Sequence, residues 1–172
     1  MSNTDPSRPE YLAESLALYE SAASEYDRFY FSLTMGGFIL LHVAHNRQNF
    51  QSEQVVARCL ADQGDRVYLL PEVGFPQGVK TPDAEVNGEL WDFKCLTAET
   101  TAFANRVQAG IKVARRQGAI GVGYHVDTDD YDLSEIRRGI RRAFDLDVDQ
   151  QIQQVLLVFR EGEPIVYQRE SI

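Results

Sequence analysis

At 172 residues and 44% hydrophobic, the chain is long enough for one well-filled core and too short for two, so a single domain is expected. Its longest apolar run, Gly36 to Val43, cannot cross a bilayer, and the polar start Met1 to Pro9 lacks the charged-then-apolar pattern of a signal peptide; the expectation is a soluble, cytoplasmic protein with no membrane partner. A net charge of -9 excludes indiscriminate attraction of a polyanion, and Cys59 and Cys95, without C-x-x-C spacing, suggest neither a disulfide framework nor a cysteine zinc site.

Residues 9–25 repeat at helical spacing, with Tyr11, Leu12, Leu16, Tyr19, Ala23 and Tyr26 as the apolar stripe, and residues 1–30 read as an N-terminal helical segment packed on a domain of residues 31–172. Phe29 to Phe31 and Phe38 to Val43 look extended, separated by Met35-Gly36-Gly37. A second helix spans 49–63 and stops at Gly64. Phe50, Val56, Ala57, Leu60 and Ala61 form its apolar arc, and Glu53 falls inside that arc, where a carboxylate needs a partner. Residues 65–70 follow as a strand, and the Gly- and Pro-rich 71–81 as a loop.

Asn87-Gly88 between two alternating runs is the strongest short hairpin signal and demands a two-residue type I′ turn. That register sets Val86 opposite Glu89, Ala84 opposite Trp91 and Asp83 opposite Asp92, while alternation puts Lys94 on the face of Asp92. Two carboxylates and an ammonium therefore converge. Opposed like charges destabilise a sheet unless compensated; a divalent cation or Lys94 would compensate them, and both serve phosphodiester cleavage. Ala84, Val86, Trp91, Phe93 and Cys95 read as the buried face, and an ordinary hairpin with one solvated, charged face is the alternative.

Residues 95–101 read as a polar connection, 102–117 as a helix with Phe103, Val107, Ile111 and Ala114 inward, and 119–126 as a strand. The acidic stretch 127–132 precedes a helix over 133–145, in which Ile136, Ile140, Ala143 and Phe144 face in and Arg137, Arg138, Arg141 and Arg142 face out. Strands over 154–159 and 164–167 close the chain. Basic residues cluster: the lysines are Lys80, Lys94 and Lys112, and Arg106, Arg115 and Arg116 share the helix with Lys112, giving a candidate nucleic-acid contact surface. The fold expected is α/β, with a central mixed sheet, the hairpin carrying the site, and about four flanking helices. His42, His45 and His125 lack a strong zinc spacing.

Glu53 on a helix, Pro82-Asp83 entering a strand and Asp92-Phe93-Lys94 on the next strand resemble the PD-(D/E)xK nuclease pattern. Gly36-Gly37-Phe38, His45, Glu53, Thr81-Pro82-Asp83, Asn87-Gly88-Glu89, Trp91-Asp92-Phe93-Lys94, Asn105, Ile111 and Gln117 resemble more closely the C-terminal toxin domains of contact-dependent inhibition (CdiA-type) proteins, over roughly residues 36–125. That resemblance implies a toxin-type endoribonuclease acting on tRNA, with a cognate immunity protein. It also implies one of two chemistries. In the first, Asp83 and Asp92 ligate Mg²⁺, Glu53 completes the shell and Lys94 stabilises the transition state. In the second, on a barnase/EndoU/colicin/RelE-like fold without metal, Lys94 keeps its role and His45 or a carboxylate acts as base. Thr100, Thr101, Asn105 and Gln117 are carried over as substrate or oxyanion contacts. A PD-(D/E)xK DNA endonuclease and a noncatalytic acidic binding or immunity-type protein are the other readings.

Overall fold

Asn87 and Gly88 take φ of 52° and 87°, the paired positive values that a type I′ turn requires, so the predicted turn forms where the sequence places it. The computed structural model describes residues 4–72 and 81–172; Lys80 and most of the expected 71–81 loop lie outside the described residues. Among the described residues, eight strands and four α-helices mix parallel and antiparallel pairing, giving the expected α/β fold. They fall into two compact units, residues 1–89 and 90–172.

The first unit contains α1 (Tyr11–Glu20), β1 (Tyr26–Phe31), β2 (Phe38–His42), α2 (Phe50–Asp62), β3 (Arg66–Leu69) and β4 (Ala84–Val86). Helix α1 ends earlier than its apolar stripe predicts: the Ser21 hydroxyl and amide both donate to the Ala17 carbonyl, closing the last turn, and Tyr26 opens a strand. Leu12 and Leu16 stay exposed, and the buried side of α1 is Tyr11 and Ser15. Tyr11 donates to the Gly64 carbonyl and carries the Arg66 guanidinium over its ring, while Arg66 donates to the Ser15 hydroxyl at 2.9 Å. The expected boundary after residue 30 falls inside β1, which pairs antiparallel with β2. Strands β2 and β3 are parallel, joined through α2, and β4 returns antiparallel beside β3. At Gly37 a Cβ would sit 2.0 Å from the Ala61 carbonyl oxygen, so α2 approaches β2 more closely than any side chain allows. Asn87 does more than turn the chain: its side chain accepts from the Arg66 amide at 2.9 Å and donates to Asp65 at 2.7 Å.

The second unit begins one residue into β5 (Glu89–Thr97) and continues through α3 (Phe103–Arg116), β6 (Gly121–Asp127), α4 (Leu133–Leu146), β7 (Gln154–Phe159) and β8 (Ile165–Gln168), ending in a 3-10 turn. Strands β5, β6 and β7 run parallel through α3 and α4, and β8 is antiparallel to β7. Val107, Ile111, Ile136, Ile140 and Phe144 of the helices meet Leu96, Val122, Tyr124, Val126 and Val155 of the strands in one core. Asp132 caps α4 by accepting from the Ser134 and Glu135 amides, so the helix starts where the acidic stretch predicts. The polar connection expected from residue 95 is instead strand up to Thr97, because Cys95 and Leu96 pair with His125 and Val126, and Leu96 is fully buried. The face of β5 bearing Asp92 and Lys94, solvated in the alternative reading of an ordinary hairpin, is covered: a parallel crossover returns its helix over one face, and α3 lies there.

Candidate active site

Each unit holds one cluster of the expected residues. In the first, Glu53 stands in the opening turn of α2 and is buried, as its place in the apolar arc predicts. Its partner is His45, whose Nε2 lies 2.5 Å from the Glu53 carboxylate, while Nδ1 lies 2.5 Å from the Leu70 carbonyl. Burial pulls the imidazole pKa down, but the Glu53 carboxylate and the Leu70 carbonyl, both acceptors, outweigh it and hold His45 above its ordinary value. With a carbonyl at one nitrogen and a carboxylate at the other, His45 lacks the open lone pair of a general base and serves to fix Glu53.

The Leu70 amide donates to the Asp83 carbonyl at 2.9 Å, which ties the start of the hairpin to the strand end that holds His45. A cavity of about 70 Å³ results, lined by Glu53, Glu72, Asp83, Thr81, Asn49 and His45 among others. Its carboxylates are the hard oxygen donors that Mg²⁺ takes while keeping several waters. Direct coordination by three of them would need donor atoms close together, and among the described residues only Cys95, His125 and Asp127 bring three such atoms within 4.8 Å.

In the second unit, Asp92 and Lys94 sit two apart on β5, and Lys94 Nζ lies 2.6 Å from Asp92 Oδ2. The Asp92 carboxylate is buried and the Lys94 side chain is 21% exposed, so the lysine is the more accessible member of the pair. Gln117, the C-cap of α3, completes the arrangement: with its amide nitrogen oriented by the two acceptors, it donates to the Asp92 oxygens at 3.0 and 3.2 Å. The Lys94 stem runs beside Gly110 of α3, where a Cβ would meet Lys94 Cδ at 2.8 Å and the Tyr124 hydroxyl at 2.3 Å. That hydroxyl donates to the Val107 carbonyl, and burial, reinforced by the Asp92 charge, pushes the phenol far above its usual range.

Other expected contacts disperse. Thr100 accepts from the Thr97 amide and closes the turn before α3, and Thr101 is exposed. Asn105, Lys112 and Arg116, at i, i+7 and i+11, share one exposed face of α3, and Arg106 is exposed beside it. Arg115 is committed elsewhere: it lies 2.9 Å from the buried Asp147 and 3.0 Å from Asp149. The Gln117 bonds to Asp92 give a physical role to a residue that sequence reasoning reached only through resemblance.

Residues 80–163 match the model of a family described as the contact-dependent growth inhibition CdiA C-terminal domain. The matched stretch contains Asp83, Asp92, Lys94 and Gln117 and omits His45 and Glu53. Among solved structures, the chain is similar to a CdiA-CT/CdiI toxin and immunity complex from Burkholderia pseudomallei, at 18% identity over 72% of this chain and 89% of that one, with a TM-score of 0.48. No curated protein matches the chain in sequence.

Proposed function

We propose that the chain, whose residues 80–163 match the model of the CdiA C-terminal domain family of contact-dependent growth inhibition, is a toxin-type nuclease that cleaves RNA phosphodiester bonds, with tRNA as substrate. One observation carries the reading: a partly exposed lysine, Lys94, pinned by the buried Asp92 carboxylate, which the Gln117 amide holds in turn. Charge grows on the phosphoryl oxygens as the bond to the leaving oxygen breaks, and a preoriented cation stabilises it without reorganising. Lys94 has that role, and Asp92 and Gln117 position it.

Carboxylates suit a hard cation, so Asp83, with Glu72 in the same cavity, is the proposed holder of Mg²⁺, which would polarise a phosphoryl oxygen, while Asp92, bonded to Lys94 and Gln117, is left to position Lys94. Glu53, held by His45, orients water or ligand near the Asp83 cavity. Asn105, Arg106, Lys112 and Arg116 contact the RNA backbone, with Thr100 and Thr101 at the start of the same helix. A toxin of this kind implies a cognate immunity protein as partner, and cytoplasmic RNA as its target.

The test is incubation of purified protein with total tRNA and with plasmid DNA, each with Mg²⁺ or EDTA, beside Asp92→Ala and Lys94→Ala. Cleavage of tRNA alone, lost in both variants, is the expected result, and the EDTA lane reports on the metal. Plasmid cleavage alone would replace the proposal with a PD-(D/E)xK DNA endonuclease. No cleavage of either substrate by folded wild-type protein would replace it with a noncatalytic acidic binding protein.

A further inference from the structure

Strand alternation puts Cys95 on the face of β5 opposite Asp92 and Lys94, and on that face the chain assembles a second set of reactive side chains. Parallel pairing sets Cys95 beside His125, and Thr97 beside Asp127, so His125 and Asp127 follow Cys95 on one surface of β5 and β6. The thiol sulfur, an imidazole nitrogen and a carboxylate oxygen of these three residues all lie within 4.8 Å of one another. We propose that Cys95, His125 and Asp127 form a binding site for a borderline-soft divalent ion of the zinc class, with its fourth position open to water.

The donor set selects the ion. Thiolate and imidazole together favour Zn²⁺ over Mg²⁺ or Ca²⁺, which take oxygen alone, and three protein ligands with one open position is the usual arrangement of exchangeable zinc. Geometry is close to what the ion needs. His125 Nε2 and Asp127 Oδ1 are 3.9 Å apart, against roughly 3.4 Å for two ligands about 2.1 Å from a tetrahedral centre, a gap that small side-chain rotations close. Arg160 Nε donates to this same Asp127 Oδ1 at 2.9 Å, which fixes the carboxylate's orientation, and the ion would take a remaining lone pair of the carboxylate. The Asp127 side chain is 44% exposed, which gives the ion a route in from solvent.

The test is independent of nucleic-acid cleavage. Purified wild-type protein is titrated with Co²⁺, whose thiolate charge-transfer band in the near ultraviolet and tetrahedral visible bands report sulfur ligation, and Zn²⁺ is then added to displace it. The expected result is saturation at one Co²⁺ per chain, loss of the band in Cys95→Ser and His125→Ala, and retention in Lys94→Ala. No charge-transfer band, or a band surviving in Cys95→Ser, overturns the proposal. Alkylation of the wild type, read cysteine by cysteine in a mass spectrometer, needs no variant: Zn²⁺ should protect Cys95 and leave Cys59 reactive, and equal reactivity of Cys95 with and without Zn²⁺ refutes the site.

Discussion

Glu53→Gln removes one charge from a pair that is almost wholly out of water: His45 is 6% and Glu53 7% exposed, so solvent screening offers little relief. Breaking one side of such a pair costs about 3–5 kcal/mol, because the remaining charge stays buried without its partner. For a chain of this size each kcal/mol moves the melting temperature by roughly 2–4 °C, which predicts a fall of about 6–20 °C near pH 6. The pH dependence fixes the cause. His45 has a folded pKa above its ordinary value of about 6.5, so its contribution is fully present below that value and is lost as pH rises through the folded pKa. Wild type and Glu53→Gln should therefore differ most at pH 6 and converge toward pH 9, measured as urea midpoints at each pH with unchanged slopes. A gap that is constant across that range, or that widens with pH, refutes the assignment of His45 as the charged partner.

Lys94→Ala should lower kcat about 10²–10³-fold, as loss of a preorganised charge stabiliser does, with circular dichroism showing a folded protein; a fall in activity explained by unfolded protein alone would remove Lys94 from the mechanism. Gly110→Ala drives a methyl against the Tyr124 hydroxyl and the Lys94 stem. Overpacking of about 1–3 kcal/mol outweighs the ~1 kcal/mol that alanine contributes in a helix, so stability and cleavage should both drop; a variant more stable and fully active would contradict this contact. Asp147→Asn strips the buried anion between Arg115 and Arg169 and should destabilise by about 3–5 kcal/mol, and a thermal melt at high salt should show nearly the same loss; a difference erased by salt would mean that the pair is a surface one.

What the sequence made legible was set by local physics. Asn87-Gly88 announces its turn because few other residues accept two successive positive φ values, and α4 announces itself through the acidic stretch before it and arginines spaced around an apolar stripe, with the Asp132 cap seen only in the structure. Glu53 was legible as a carboxylate in need of a partner, but not the partner itself: His45 precedes it by eight residues, in the irregular β2–α2 connection, where no helical or strand period predicts a contact. Alternation located Asp92 and Lys94 on one face but could not show that a crossover helix would bury that face, since hydrophilic residues under a helix read the same as hydrophilic residues in water. Cys95 and His125 lie far apart in sequence and become neighbours only through parallel pairing of β5 and β6, which is why a search for closely spaced ligands passes over them. Helix α1 misled for the opposite reason: its leucines repeat at helical spacing, yet Tyr11 and Ser15 take the buried places through specific bonds to Gly64 and Arg66.

The charge distribution sets a further condition on any polyanion that binds. With a net charge of -9, the chain as a whole repels RNA, while exposed cations collect on α3 and α4: Arg106, Lys112 and Arg116 on one, Arg137, Arg141 and Arg142 on the other. Several remaining arginines are paired, Arg115 and Arg169 with the buried Asp147 and Arg160 with Asp127, so α3 and α4 carry runs of exposed cations where phosphate meets positive charge at short range. Range decides which effect wins. At physiological ionic strength the screening length is about 8 Å, and only charge near a strand docked on the helices is felt; at 0.01 M it is about 30 Å, and more distant charge is felt as well. A simple basic binder gains affinity steadily as salt falls, with a logarithmic slope of about -0.7 per phosphate neutralised on single strands. Here the plot of log affinity for RNA against log salt should be linear near physiological salt and flatten or turn over at the lowest concentrations. Fluorescence anisotropy with the Lys94→Ala variant measures it without cleavage, and a line straight down to 0.01 M salt would mean that the opposing charge acts too far from the bound strand to matter.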